Sequence, residues 1–399
     1  MADQLFPEFP WNRLAPLWAT AREHAAGPID LSIGAPVDPT PRPVREALIR
    51  AVDAPGYPST EGSSALRDAV VDYLARRGHV RCLDADMVLP TIGSKEAIAQ
   101  LPAFLGFGSD DVIAIPDLGY PTYEIGALSV GATLTRYVDP LRVNTEGLAA
   151  LWVNSPGNPE GRILDAAELE LLVSRARATG TLLISDECYL EFGWDRPTIS
   201  IMHPDVCGND PTGLLIINSL SKRSNLAGYR AAFLAGDPTL VSRLLEYRKH
   251  MGQMVPLPVQ AAMTAALNDD DHVTTQRERY LRRRHILKSA VEEAGFIVDH
   301  SEGGLYLWVR RDGEDCWQLA SWFARRGVIC VPGEIYGVSG RNHVRLTITT
   351  TDQNVSTAAD RISSPLRTVH DDAVGGVASP ARNAKYAHST DGDVRDGAN

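Results

Sequence analysis

Short apolar runs alternate with helical patterns through the centre of the chain. The runs are residues 112–115, 150–153, 182–184, 214–217 and 231–234. Between them lie stretches such as residues 166–178, in which apolar positions recur at helical spacing. Strands that are apolar on both faces are typical of a parallel sheet covered by helices on each side. The pattern therefore predicts an α/β fold with a mostly parallel central sheet.

Further helical patterns flank this region. Apolar side chains recur at helical spacing in six more segments: residues 11–24, 44–52, 66–77, 238–250, 258–267 and 276–294. The prolines between Pro36 and Pro43 predict irregular structure there. Residues 295–363 combine strand patterns at 305–309 and 344–348 with a helical pattern at 317–326. We expect this part to form a smaller α/β domain that closes on the large one.

These patterns divide the chain into four parts. We expect residues 1–45 to form an N-terminal arm that joins the small domain, residues 46–294 to form the large domain, and residues 295–364 to form the small domain. From about residue 365 the chain has few large apolar side chains, so it cannot bury enough surface to order itself. We therefore expect residues 365–399 to be a flexible tail.

Composition and charge narrow the class of protein. The chain has 399 residues, of which 44% are hydrophobic and 22% charged, so it can bury a large core. Its formal net charge of −11 argues against nucleic acid or an anionic membrane surface as the main partner. Five cysteines without a CxxC pair favour a reducing compartment. With no signal-peptide or membrane-spanning pattern, we expect a cytoplasmic protein, and we expect no metal.

The most informative polar groups lie in residues 219–230, with the sequence SLSKRSNLAGYR. This segment follows a predicted strand, and α/β sheets bind ligands at the carboxyl ends of strands. Ser219 and Arg230 are both able to bind a phosphate. Lys222, between them, is able to form a Schiff base with a bound aldehyde if its surroundings keep it partly neutral. A lone lysine is usually solvated, so this interpretation depends on all three groups together.

A second apolar run, residues 182–184, leads to Asp186 and Tyr189 in the string SDECY. A carboxylate at this position is able to pair with a buried cationic ring nitrogen, which makes the ring an electron sink. Tyr189 lies within reach of the phenolic oxygen of such a ring. Taken alone, a helix N-cap for Asp186 and a half-buried core aromatic for Tyr189 are the more common explanations.

Two turns and one strand supply further candidates. Asn158 lies in a Pro/Gly-rich turn and is placed to donate to the same phenolic oxygen, although a plain turn needs no function. Ser94 and Lys95 open a predicted helix, and backbone N–H groups at a helix start bind phosphate, although an ordinary capped helix explains them equally well. Arg345 lies among apolar neighbours, so we expect it to meet either a substrate carboxylate or a structural acid.

Together these segments resemble the fold-type I pyridoxal-phosphate aminotransferases of classes I and II. The matching strings are NPEG, SDECY and SLSKRSNLAGYR, and the resemblance covers roughly residues 5–362. It implies a fold-type I architecture, pyridoxal 5′-phosphate as cofactor, and an amino acid and a 2-oxo acid as small-molecule substrates. It also implies a homodimer, which the composition does not show.

The resemblance implies a role for each candidate residue. Lys222 would carry the cofactor and serve as the base, Asp186 would pair with the ring nitrogen, and Asn158 and Tyr189 would bind the phenolic oxygen. Tyr120, in PDLGYPTY, would stack on the ring. The remaining implied roles are phosphate binding by Gly93, Ser94, Lys95, Ser219, Arg230 and, across a dimer interface, Tyr57. Substrate binding is implied for Gly34, Asn158 and Arg345, of which Arg345 would bind the α-carboxylate and Gly34 would line the same pocket.

Other strings, including FPWNRLAPL, DLSIGAPVDP and RKHMGQMVPLPVQAA, are similar to the N-succinyldiaminopimelate aminotransferases of actinobacteria. This implies a reaction between N-succinyl-LL-2,6-diaminopimelate and the 2-oxoglutarate/glutamate pair in lysine biosynthesis. The sequence does not identify the second anion-binding group that a succinylated substrate needs. Glu160 stands where the asparagine turn commonly has threonine, and Leu220 where an aromatic residue is common. We expect Glu160 to alter what the mouth of the pocket accepts.

Three alternatives stay open at this stage. The same scaffold is able to transaminate aspartate, unmodified diaminopimelate or another amino acid. A similar site runs a β-lyase or decarboxylase reaction when a different bond is placed for cleavage. A non-enzymatic sensor is the third alternative, but the sequence carries neither a basic patch nor a helix-turn-helix extension for binding nucleic acid.

Overall fold

The computed structural model describes residues 6–365, in which short strands form three sheets. The strands, in chain order, are β1 (Ile29–Asp30), β2 (Val88–Ile92), β3 (Val112–Pro116), β4 (Thr133–Tyr137), β5 (Ala150–Asn154), β6 (Leu182–Asp186), β7 (Leu214–Ser219), β8 (Ala231–Gly236), β9 (Ile297–Asp299), β10 (Tyr306–Arg310), β11 (Val328–Ile329), β12 (Val331–Pro332) and β13 (His343–Thr347).

Helices connect most of these strands. In chain order they are α1 (Ala15–Arg22), α2 (Arg42–Arg50), α3 (Ser64–Arg77), α4 (Ser94–Phe104), α5 (Thr122–Ser129), α6 (Ala166–Thr179), α7 (Pro204–Cys207), α8 (Leu220–Arg223), α9 (Pro238–His250), α10 (Leu257–Leu267), α11 (Asp271–Glu293), α12 (Cys316–Ala324) and α13 (Asp352–Ser363). None of the helices in residues 6–365 is both long and apolar enough to cross a membrane.

The large sheet has the strand order β2-β8-β7-β6-β5-β3-β4, and all its neighbouring pairs are parallel except those that involve β8. Its central strands are buried along their whole length, as their continuous apolar sequences predict. Separate apolar clusters fill the space on its two faces. The predicted α/β class with a mostly parallel sheet is confirmed.

Strand β8 runs antiparallel to both of its neighbours, β7 and β2. Only residues 220–230 separate β7 from β8. A parallel connection needs a crossover of about a dozen residues or more, usually a full helix, so this short link turns the chain back instead. The link is the lysine-bearing segment of the sequence, and it is therefore anchored at both ends by strands in the interior of the sheet.

The smaller sheet is antiparallel, with the order β12-β13-β10-β9. Helices α1, α11, α12 and α13 contribute buried residues to the apolar cluster around it. The N-terminal arm joins the same region, because β1 pairs in parallel with β11. Residues 6–364 belong to one compact unit, so the boundaries expected near residues 45 and 294 stay predictions. The predicted flexible tail lies almost entirely outside the described residues.

Strands β2 and β4 and the start of helix α2 were not predicted from the sequence, and each has a physical explanation. Strand β4 lies at an edge of the large sheet and alternates exposed with partly buried positions, so it has no apolar run. Strand β2 lies at the opposite edge and contains Pro90, a residue that edge strands tolerate. Helix α2 begins at Arg42, within the stretch expected to be irregular, because Pro43 lies in its first turn where no N–H is needed.

Candidate active site

A cavity of about 830 Å³ opens where the carboxyl ends of β5, β6 and β7 meet. The last residues of these strands are Asn154, Asp186 and Ser219, and all three line the cavity. The Asn154 side chain donates to the Asp186 carbonyl at 2.8 Å and so ties the first two strand ends together. Most sequence-predicted residues also line the cavity: Gly34, Ser94, Lys95, Tyr120, Asn158, Tyr189, Lys222, Arg230 and Arg345.

Lys222 lies in the one-turn helix α8, directly after β7. Ser219 caps this turn by accepting from the Ser221 N–H at 3.1 Å. The Lys222 ammonium donates to the carbonyl oxygen of Gly34, which belongs to the N-terminal arm. Burial lowers the pKa of Lys222 from its ordinary value, which favours the neutral amine. The shift is in the direction that a lysine acting as a nucleophile or a general base requires.

Asp186 is buried and accepts two hydrogen bonds. The Tyr123 hydroxyl donates to it at 2.7 Å, and the Cys188 N–H donates at 3.1 Å. Burial raises the pKa of Asp186, and the hydrogen bonds oppose that effect only in part. A buried carboxylate of this kind is stabilised by a cationic partner such as a protonated ring nitrogen. The sequence analysis did not identify Tyr123, whose ring stacks on Trp152 with centroids 4.9 Å apart.

Arg345 is only 3% exposed and forms no ion pair with any acidic side chain in residues 6–365. One guanidinium nitrogen donates to the Asn158 side-chain oxygen at 2.8 Å, and another donates to the Ser32 carbonyl at 2.6 Å. The Arg345 Nε atom is buried and has no partner. The structural salt bridge considered above is therefore absent from the described residues, which leaves Arg345 as a buried cation that is able to bind a carboxylate.

Tyr306, on β10, lies near both Lys222 and Arg345 in the cavity. Its ring lies 3.8 Å from the Arg345 guanidinium carbon, and its hydroxyl lies 2.9 Å from the Tyr189 hydroxyl. Burial alone would raise the pKa of Tyr306, but the charges of Arg345 and Lys222 hold it below its ordinary value. A Cβ atom at Gly34 would lie 2.1 Å from the Tyr306 hydroxyl, so only glycine fits there. Sequence patterns gave no signal for Tyr306, which lies in an apolar strand.

Helix α4 points its first turn at the cavity. Gly93 precedes the helix with a φ of 82°, and a Cβ atom there would lie 2.2 Å from an Arg230 nitrogen. Free N–H groups at a helix start, the Ser219 hydroxyl and the Arg230 guanidinium make a cradle for a phosphate. Arg230 also donates to the Ala227 carbonyl at 2.8 Å, which orients its side chain.

Of three further candidate residues, Tyr120 lines the cavity, whereas Tyr57 and Glu160 do not. The Tyr120 ring lines the cavity and meets the Tyr123 ring edge-on, with centroids 6.0 Å apart. Tyr57 is 94% exposed and does not line the cavity of its own chain. Glu160 is also absent from this cavity and lines a separate one of about 410 Å³ behind the asparagine turn. The expectation that Glu160 shapes the pocket mouth is therefore wrong, because its side chain points to the other face of the turn.

The residues of the cavity fit pyridoxal 5′-phosphate as a set. A phosphate cradle, a buried carboxylate for a ring cation, a lysine of lowered pKa and a buried arginine without an acidic partner lie around one space. Gly34 and Gly93 leave room where any larger residue would displace a cavity side chain. Each of these groups matches a different part of an aldehyde cofactor with its amino-acid substrate.

Comparison with known proteins assigns the chain to a family. Residues 26–362 match the class I and II aminotransferases, and the match extends over most of the chain. The chain therefore belongs to this family. It is a pyridoxal-phosphate-dependent aminotransferase, an enzyme that moves an amino group between an amino acid and a 2-oxo acid.

Several relatives cover nearly the whole chain. The chain is 50% identical over 357 residues to the 4-dedimethylamino-4-oxo-anhydrotetracycline transaminase OxyQ of Streptomyces rimosus, which covers 90% of this chain and 99% of OxyQ. It is also 50% identical over 357 residues to the probable aminotransferase Rv1178 of Mycobacterium tuberculosis, covering 90% and 85% of the two chains. The LL-diaminopimelate aminotransferase of Aquifex aeolicus is 30% identical over 370 residues, covering 86% of this chain and 92% of that enzyme.

A solved structure supports the same assignment. The aminotransferase AspB of Helicobacter pylori superposes with a TM-score of 0.80 at 26% sequence identity, covering 90% of this chain and 98% of that one. The fold-type I architecture expected from the sequence is confirmed.

Proposed function

We propose that this aminotransferase acts on N-succinyl-LL-2,6-diaminopimelate, with 2-oxoglutarate and glutamate as the second substrate pair, in the diaminopimelate route to lysine. Besides the α-carboxylate at the reacting amino group, this substrate has one carboxylate at the other end of its carbon skeleton and one on the succinyl group, here called the distal carboxylate. The observation that carries the proposal is a pair of further cations, Arg13 and Lys95, on the wall of the same cavity as Arg345. The likeness to LL-diaminopimelate aminotransferases supports the carbon skeleton of the substrate.

Within this proposal Lys222 carries the cofactor and exchanges the substrate proton. When bound, pyridoxal phosphate supplies the electron sink that stabilises the negative charge left on the substrate α-carbon. The neutral Lys222 amine accepts the α-proton at Nζ and delivers it to the next acceptor, and its lowered pKa favours this exchange. Asp186 would hold a positive charge at the ring nitrogen, and Asn158 and Tyr189 would bind the phenolic oxygen.

The phosphate and the substrate carboxylate would be bound by different groups of the cavity. Ser219, Arg230 and the first turn of α4, with Gly93, Ser94 and Lys95, would bind the phosphate, and Tyr120 would stack on the ring. Arg345 binds the α-carboxylate in place of one of its present partners, and Gly34 provides the room for it. The Arg345 guanidinium already lies against the Tyr306 ring, so little side-chain entropy is lost when the carboxylate binds.

The distal carboxylate has two cations to meet, and they differ in availability. Arg13 lies 3.5 Å from Glu334, a carboxylate that lines the same cavity. Lys95 forms no ion pair with any residue in the described part of the chain, and its ammonium lies over the Phe9 ring at 5.5 Å. We therefore assign the distal carboxylate to the Lys95 side chain, separately from the role of its backbone N–H in phosphate binding.

A substrate comparison tests this assignment. We expect kcat/KM with N-succinyl-LL-diaminopimelate to exceed that with LL-diaminopimelate or aspartate, with 2-oxoglutarate as the acceptor. Lys95→Met keeps the backbone N–H and removes the charge, so it raises KM for the succinylated substrate by about 10-fold, the effect of one charged hydrogen bond. Its KM for aspartate stays unchanged. Lys249→Met, at an exposed position on α9, is the matched control. Equal activity on all three donors would contradict the substrate assignment but not the aminotransferase activity.

A second substrate class has one specific observation in its favour. OxyQ is 50% identical across 99% of its length, and its name states a reaction at a keto group of an anhydrotetracycline. Phe6, Phe9 and Trp11 line one side of the cavity, which gives an aromatic wall for a polycyclic substrate. Amination of that ketone by this enzyme, with no activity on succinylated diaminopimelate, would favour this class. Phe9→Ala would then reduce kcat/KM more than Lys95→Met does.

We also propose a homodimer in a cytoplasmic location. Tyr57 is 94% exposed, an unusual state for a large aromatic side chain, and the proposal places it at the phosphate of the neighbouring subunit. The five cysteines are free, as expected for a reducing compartment. Analytical ultracentrifugation at micromolar concentration tests the oligomer, and a monomeric, fully active enzyme would contradict it.

A further inference from the structure

Two cysteines far apart in sequence lie side by side in the structure. The Cys82 and Cys207 sulfur atoms are 3.9 Å apart, although 125 positions separate the residues. Cys82 lies in the loop between α3 and β2, and Cys207 is the last residue of α7. All five cysteines of the sequence lie in the described residues and are free. Cysteine spacing gave no sign of this pair, because the contact is made only by the folded chain.

The surroundings of the pair favour chemistry at sulfur. Cys82 is partly exposed to solvent, whereas Cys207 is 1% exposed. The hydrogen bond from the Cys82 thiol lowers the pKa of Cys207 to about 6, and nearby backbone N–H groups act in the same direction. The pKa of the Cys82 thiol is raised in turn. The contact therefore favours the deprotonated form at Cys207 and the protonated form at Cys82.

The geometry permits a bond between the two sulfur atoms. A disulfide requires a sulfur–sulfur distance of about 2.05 Å, so the atoms must approach by about 2 Å. Cys82 lies in an irregular segment, between the end of α3 at Arg77 and the short helix that starts at Ala85. Such a loop adapts more easily than a strand of the central sheet.

We propose that Cys82 and Cys207 form an oxidation site that hydrogen peroxide converts to an intramolecular disulfide. A thiolate of the pair attacks one peroxide oxygen, the O–O bond breaks, and the leaving hydroxide takes a proton to give water. The second sulfur then attacks the sulfenic acid, the S–S bond forms, and the S–O bond breaks with release of a second water. Two thiols and one peroxide thus give one disulfide and two waters, so the step balances.

The position of the pair predicts what the disulfide changes. Helix α7 precedes the amino end of β7, whereas Lys222 follows the carboxyl end of the same strand. The two sites therefore lie at opposite ends of the strands of the large sheet. Oxidation is thus expected to leave the cavity intact. The new bond closes a loop of 125 residues, and a long closed loop restricts the unfolded chain strongly. The oxidised enzyme is expected to keep its activity and to unfold at a higher temperature.

The experiment treats the purified holoenzyme with stoichiometric hydrogen peroxide under denaturant-free conditions. After unfolding, the number of titratable thiols is expected to fall from five to three, and peptide mapping is expected to find residues 82 and 207 joined with the loss of two hydrogen atoms. Cys82→Ser and Cys207→Ser each abolish the linked peptide. Cys316→Ser and Cys330→Ser alter two buried cysteines of the other core and leave it unchanged.

A test without mutation guards against variants that fail to fold. Phenylarsine oxide bridges two neighbouring thiols, so one equivalent is expected to protect both Cys82 and Cys207 from alkylation in the wild-type enzyme. Two results would each overturn the proposal: a peroxide-treated enzyme that retains five thiols, or a disulfide that maps to other cysteines. Loss of activity that follows formation of the 82–207 bond and is reversed by dithiothreitol would overturn its assignment to a site remote from the cavity.

Discussion

At the scale of single residues, Lys222 depends on atoms that its own segment does not supply. Its amine contacts the Gly34 carbonyl, and the neighbouring Arg345 contacts the Ser32 carbonyl. Both carbonyls belong to the N-terminal arm, so a stretch of backbone directly after β1 holds both Lys222 and Arg345. The arm therefore orders these two side chains through its main chain, while the absence of a side chain at Gly34 leaves room for Tyr306.

Replacing the lysine separates cofactor binding from turnover. In Lys222→Ala the phosphate cradle and Asp186 are intact, so pyridoxal phosphate still binds, but the amine that exchanges the proton is missing. We expect kcat to fall by at least about 10²–10⁴-fold, the usual value of general-base catalysis. Absorbance spectra measure bound cofactor and single-turnover kinetics measure the chemistry. Wild-type turnover in this variant, or borohydride labelling at another lysine, would show that Lys222 is not the attachment site.

Glu160 predicts a pH dependence of stability. Burial raises the pKa of its carboxyl to about 7, and one of its oxygens has no hydrogen-bond partner. Because the folded pKa lies above the ordinary value of 4.5, the protonated form is favoured by folding, and stability is lost as the pH rises through about 7. Tyr137 and Arg162 line the same cavity, and Arg162 opposes the shift only in part.

Glu160→Gln removes this titration. At pH 8 the variant is expected to exceed the wild type in free energy of unfolding by about 1–3 kcal/mol, on the order of the pKa shift. The difference shrinks as the pH falls towards 4.5, where the wild-type carboxyl is protonated in both states. Urea unfolding at a series of pH values measures it, and Glu170→Gln on an exposed position of α6 is the control. A difference that grows at low pH would contradict the argument.

At the scale of elements, the start of α4 depends on a glycine that makes room for a neighbour. Gly93→Ala places a Cβ against the Arg230 guanidinium, which is a flexible group that moves aside. Gly131→Ala also introduces a Cβ at a positive φ, 71°, but has open space around it. Both variants lose about 1 kcal/mol of stability from the positive φ.

Only Gly93→Ala is expected to weaken cofactor binding, by about 10-fold or more, because it moves a charged phosphate ligand. A cofactor titration followed by absorbance compares the two variants directly. Equal dissociation constants for both variants would show that Arg230 and the start of α4 do not bind the phosphate. Weaker cofactor binding in Gly131→Ala would point to general strain instead.

The elements also show how far sequence reasoning extends. The polar residues that end β5, β6 and β7 were predictable, because parallel strands bring their carboxyl ends to one edge. The antiparallel direction of β8 was not predicted from its apolar run, because a parallel and an antiparallel strand have the same apolar run. The contacts of Tyr123 and Tyr306 also could not be predicted, because they depend on how α5 and β10 pack against the large sheet. Backbone acceptors such as the Gly34 carbonyl are not encoded by residue type.

At the scale of the whole molecule, the proposed homodimer places Tyr57 at the phosphate of the neighbouring subunit, so two chains would share each active site. In a mixed dimer, one subunit carries Tyr57→Ala and the other carries Lys222→Ala. One of the two sites then combines the intact Lys222 of the first subunit with the intact Tyr57 of the second. We expect such hybrids, co-expressed with different tags, to recover close to half of the wild-type activity.

The parent homodimers set the comparison. Dimers of Lys222→Ala are inactive, and dimers of Tyr57→Ala need more cofactor for full activity, since a phosphate contact is missing at both sites. If the hybrid has the same cofactor requirement as the Tyr57→Ala dimer, Tyr57 does not act across the interface. Tyr57→Phe distinguishes the hydroxyl from the ring in the same assay.

The short link between β7 and β8 has a consequence for how the enzyme unfolds on heating. Because both flanking strands lie inside the sheet, the lysine cannot be displaced by fraying of an end or by motion of a surface loop. Amide exchange along β7 and β8 should therefore proceed only through complete opening of the sheet. If Lys222 is still in place, the large sheet is still folded. Loss of the cofactor during heating therefore reports unfolding of the whole sheet rather than local melting.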